Sequence, residues 1–105
     1  MEEAQLRDIK DKVTSLTDQA FLLQRDNRIP ESVVVYDEAF QLERQRADWY
    51  VQTGEEPLRT EICLNAAHLA CDAGLTAEAE YYANKVIEFG INEVVIEQAK
   101  VILKQ

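Results

Sequence analysis

His68 is the only histidine in the chain, and Asp72 stands four residues on, one helical turn away. A carboxylate at that spacing can hold an imidazole, and such a pair could serve a nucleophile as general base. The sequence supplies no nucleophile to go with it. Ser15 and Ser32 stand in no local motif, and Cys63 and Cys71 belong to the same apolar run as His68. Eight residues of helix span ~12 Å, beyond the ~7 Å that two Cα atoms of a disulfide can tolerate. The two thiols therefore do not bridge each other, and they read as small hydrophobes suited to a reducing cytoplasm. One histidine, no Cys-x-x-Cys and no Glu-x-x-His leave nothing to bind a metal. Asp37/Glu38 and Glu78/Glu80 are adjacent or two apart, so their carboxylates diverge around a helix. Gly54, Gly74 and Gly90 stand singly and form no phosphate loop. The residues predict no catalysis, no cofactor and no metal, with His68–Asp72 a local contact at a half-exposed position.

The charge balance narrows the partners. Twenty acidic residues against 11 basic ones give a net charge of −9, which repels nucleic-acid phosphates. The acid is spread along the chain without a tail, as expected of a solvated surface. No apolar run approaches the length of a membrane span, and the opening Met1-Glu2-Glu3 is unlike a secretory leader. A cytoplasmic protein that binds neither nucleic acid nor membrane is expected. Residues are 47% hydrophobic and 30% charged, a globular composition. Three glycines and two prolines are too few for the hairpins of an all-β sandwich. Residues 1–105 make one domain by length.

Helical periodicity supplies the elements. Leu6, Ile9, Val13, Leu16, Ala20 and Leu23 recur at spacings of three and four, predicting a helix to about Arg25. Phe21 and Leu22 widen that stripe and predict burial from two sides. Pro30 opens a long second helix to about Thr53, with Val33, Val34 and Val35 inside it, since one strand cannot stand alone among helices. Gly54 and Pro57 stop and restart the chain, and Leu58–Ala73 forms a third helix rich in alanine. Thr76 is the expected cap of a fourth helix ending at Phe89, and Asn92 that of a fifth, Glu93–Leu103.

A shift of 47 residues aligns Ala20 with Ala67, Leu23 with Ala70, Asn27 with Gly74 and Ser32 with Ala79. Each half is then helix, tight turn, helix, with Asn or Gly able to take the left-handed turn position. The strings Leu16-x2-Gln19-Ala20-x2-Leu23 and Ala79-x3-Ala83-x2-Val86 resemble the tetratricopeptide repeat, whose signature pairs such helices about a Gly turn. The family repeats at about 34 residues and closes with a proline where Arg44 stands here, so the second helix simply runs on. The resemblance implies an all-α fold of five helices: two antiparallel hairpins, the second helix extended, plus a closing C-terminal helix.

It also implies a non-enzymatic adaptor whose first helices line a short concave groove for a partner peptide or helix. The groove would present Thr17, Phe21, Gln24, Asn65, His68 and Asp72, suited to a basic and apolar segment. The basic residues with which chaperone-tail members grip a carboxylate have no counterpart there. A second reading is a self-associating subunit. Val94 and Val101 fall on the flank of the fifth helix, and with Ile91, Leu6 and Ile9 they could close a homodimer.

Overall fold

Turn-forming residues set the helix ends, and the chain between them is helical. The computed structural model describes residues 1–90 and 92–104 as α1 (Glu3–Arg25), α2 (Ile29–Thr53), α3 (Leu58–Asp72), α4 (Thr76–Phe89) and α5 (Glu93–Leu103). The fold is all-α. The valine run lies inside α2, where Pro30 sits in the first turn and Val35 is buried. Asn92 caps α5 by accepting from the Val94 N–H at 2.8 Å. Thr76 does not cap α4. Leu75 holds that position because its own N–H bonds back to the Ala70 carbonyl at 2.8 Å, which places Thr76 one residue inside the helix.

The two hairpin turns are copies 47 residues apart. Asn27 and Gly74 are both left-handed, with φ of 64° and 74°. The Arg28 N–H reaches the Leu23 carbonyl at 2.8 Å, as Leu75 reaches Ala70. The Asn27 N–H reaches Gln24 at 3.0 Å, as Gly74 reaches Cys71. Such paired bonds satisfy carbonyls that a helix end leaves open and carry the chain straight into the next helix.

Successive helices pack pairwise, and α5 also touches α3. Among the described residues no Cα of α1 comes within 8 Å of α3 or α5. Alanines fill the helix contacts: Ala20, Ala39, Ala47, Ala66, Ala67, Ala70 and Ala83 are fully buried. Between them Phe40 meets the edge of Tyr82 at 5.9 Å, and the Tyr82 hydroxyl donates to Asp48 at 2.7 Å, tying α4 to α2. The Arg59 guanidinium lies 3.8 Å over the Phe89 ring. A Cβ on Gly90 would stand 2.5 Å from the Val86 carbonyl oxygen and 2.7 Å from Ile96 Cγ1, so the α4–α5 corner has no room for a side chain. Among the described residues no helix is long and apolar enough to cross a membrane.

Phe21 and Leu22 depart from expectation: they are 58% and 46% exposed. The two-sided burial expected there needs a second neighbour, and among the described helices α1 packs only on α2.

Candidate functional site

The gap between α1 and α3 is an open trough with α2 as its floor. Lys10, Val13 and Thr14 of α1 face Leu58, Ile62 and Asn65 of α3 across a cleft of about 260 Å³. A second cleft of about 250 Å³ adjoins it, sharing Lys10, Arg46, Leu58 and Ile62 and extending to Leu6, Arg7 and Tyr50. Both are smaller than the pockets that enclose a drug-sized ligand, which run to ~300–1,000 Å³. They match single side chains.

A buried polar network lies at the base. On α2, Tyr36, Phe40, Glu43, Ala47 and Tyr50 follow one another at spacings of four and three, a core stripe with a carboxylate in its middle. Glu43 is 3% exposed and Arg46, one turn on, 8%. Arg46 Nε stands 2.9 Å from Glu43 Oε1, yet their angle makes no hydrogen bond and neither atom has another partner. Asn65 of α3 donates to the other carboxylate oxygen, and Lys10 of α1 adds its charge from across the cleft. Burial raises the Glu43 pKa, against the opposing pull of Asn65, Arg46 and Lys10.

Further along, the Tyr36 hydroxyl donates to Gln24 of α1 at 3.0 Å, and Asp72 of α3 lies near enough to act on it. Burial raises the Asp72 carboxyl and the His68 charge opposes the shift. Gln24 and Asp72 thus lie at Tyr36, at one end of the α1/α3 face, with His68 near Asp72, and Asn65 sits at the Glu43 end. Thr17 turns its hydroxyl to its own helix, donating to the Val13 carbonyl at 2.7 Å. Phe21 stands in solvent.

Sequence reasoning missed Glu43, Arg46 and Lys10. The signal was the charged residue in the apolar register of α2, which its neighbours in that stripe make visible.

Of the residues expected to self-associate, Val94 and Val101 are 65% and 55% exposed on α5. Leu6 and Ile9 are half-buried on α1, a helix that α5 does not touch, so the two pairs do not form one patch. Ile91 lies outside the described residues. Burial pushes the Cys63 thiol up to about 12, which makes it inert as a nucleophile. Among the described residues no group of histidine, cysteine and carboxylates is placed to hold a metal ion. Comparison of the chain with protein-family models, with curated proteins and with solved structures finds no match.

Proposed function

We propose that this chain is a tetratricopeptide-like adaptor that binds a segment of a partner protein in the trough between α1 and α3. One observation carries the reading: two helices stand apart over a floor that holds a buried, imperfectly bonded ion pair. Burying two charges costs several kcal/mol per ion, and an apolar pair of similar size is often as stable or more so. The fold alone does not require Glu43 and Arg46 there. Fixed polar groups among apolar walls suit a recognition site, and Glu43 and Arg46 line the base of this one. Sealing the trough tests this. Thr14 is exposed on the cleft wall, so Thr14→Trp fills it without entering the core. Pull-down with mass spectrometry should show a partner held by the wild type and lost by the variant. The same proteins captured by both would overturn the trough as the site.

The second reading, a homodimer, is favoured by the bare Val94 and Val101 on α5. Light scattering at micromolar concentration decides it, since a mass near 12.0 kDa throughout leaves the adaptor alone.

A further inference from the structure

We infer that the trough selects an amphipathic helix with an apolar ridge, acidic residues on one flank and basic residues on the other. The inference rests on the adaptor reading and assigns the chemistry of its partner. Six ion pairs are present among the described residues, and each joins residues three or four apart in sequence. None includes Arg7 or Lys10 on the α1 wall, or Glu61 on the α3 wall. All three are exposed and line the clefts; with Glu3 at its outer end, the α1 wall keeps a surplus of one positive charge opposite the acidic Glu61 of the α3 wall. On a chain of net charge −9, the basic wall is the exception. An occupant must complement both walls at once, and like charges set against either wall are repelled.

The shape argues for a helix. No strand edge is offered by an all-helical surface, so β-strand addition has nothing to extend. The two clefts lie about one to two turns apart along α1, judged from their residues Leu6 and Arg7 against Val13 and Thr14. Ridge residues at i, i+4 and i+7 of a bound helix reach that far. Leu6, Tyr50, Leu58 and Ile62 meet the ridge, and Arg7, Lys10 and Glu61 meet the flanks. Reversing the helix exchanges its flanks, so a mixed peptide complements both walls in one of its two directions, while a uniform one does so in neither.

Three fluorescent peptides of about 18 residues, five turns of helix, test the assignment. All carry a leucine ridge. One has glutamate on one flank and lysine on the other, one has lysine on both, and one has glutamate on both. Anisotropy is read at ~0.15 M salt, where the net charge is screened beyond ~8 Å. The mixed peptide is expected to bind ~10-fold tighter than either uniform one, the factor that ~1.4 kcal/mol of wall repulsion gives. Arg7→Glu with Lys10→Glu makes both walls acidic, and the preference should pass to the all-lysine peptide. A uniform peptide that equals the mixed one, with a ranking unmoved by the double variant, overturns the charge assignment and leaves the trough reading standing. Failure of every peptide at millimolar concentration, or binding untouched by Leu58→Glu, overturns both.

Discussion

The two hairpins share one turn and little else. In α1–α2 the first helix buries only Val13 and Ala20 along 23 residues, because α2 is its single neighbour. In α3–α4 the first helix buries seven of 15 residues, because α2, α4 and α5 all touch it. Periodicity already separates them: α1 carries one apolar stripe, whereas α3 is apolar around most of its circumference. The number of packing partners follows that difference. A helix with one partner keeps a bare flank, and here that flank is the wall of a trough.

The largest contrast should come from the alanines matched by the repeat. Ala20 and Ala67 are both fully buried. Leucine at Ala67 must displace neighbours held on three sides, and is expected to cost ~1–3 kcal/mol. Leucine at Ala20 pushes on one partner that can yield, and should cost less than Ala67→Leu. Urea melts of the two variants check the order, and equal losses would mean that α1 is held as firmly as α3.

A smaller effect separates the turns. A Cβ on Gly74 meets nothing within 4 Å, so Gly74→Ala carries only the conformational cost of a left-handed residue, ~1–2 kcal/mol. Asn27 already bears part of that cost, and Asn27→Gly should raise stability by a few tenths to ~1 kcal/mol. Thermal melts of both variants sharpen the comparison, because the turns are otherwise alike.

The third expectation concerns the shape of a pH profile. The folded pKa of Glu43 is raised by burial, so its protonated form favours the fold. Its contribution is fully present below the unfolded carboxyl value, and declines as pH rises from there through the folded pKa. Glu43→Gln removes that slope. The stability difference between variant and wild type should shift toward the variant as pH climbs from about 4 to 7. A flat difference would mean that Arg46 and Asn65 fully compensate the burial.

Most of the fold was legible, and for identifiable reasons. Asn27, Gly54 and Gly74 each stop a helix by backbone preference alone, and a preference of that kind needs no tertiary information. The repeat carried the turns as well as the alanines. The site was less legible. Of the residues expected in the groove, Asn65 lines the cleft between α1 and α3, and Gln24 and Asp72 lie near Tyr36. Glu43 and Arg46 were not expected, because a charge on a helix ordinarily points to water, and only the crossing of α2 beneath two other helices buries these. Phe21 failed in the opposite direction: nothing in its spacing says that the neighbour it expects is absent.

The unequal lengths of the second helices have a consequence for phase. α2 has 25 residues and α4 has 14, a surplus of 11. Eleven residues are close to three whole turns, ~16 Å of added reach with only ~20° of rotation. The longer rod therefore ends in nearly the same rotational phase as the shorter one, although its cap, Gly54, is left-handed where Gly90 is extended. A surplus of two residues would swing that end by ~200° and send α3 to the far side of α2. Lengthening a helix by whole turns changes its reach and leaves the phase of its end nearly unchanged.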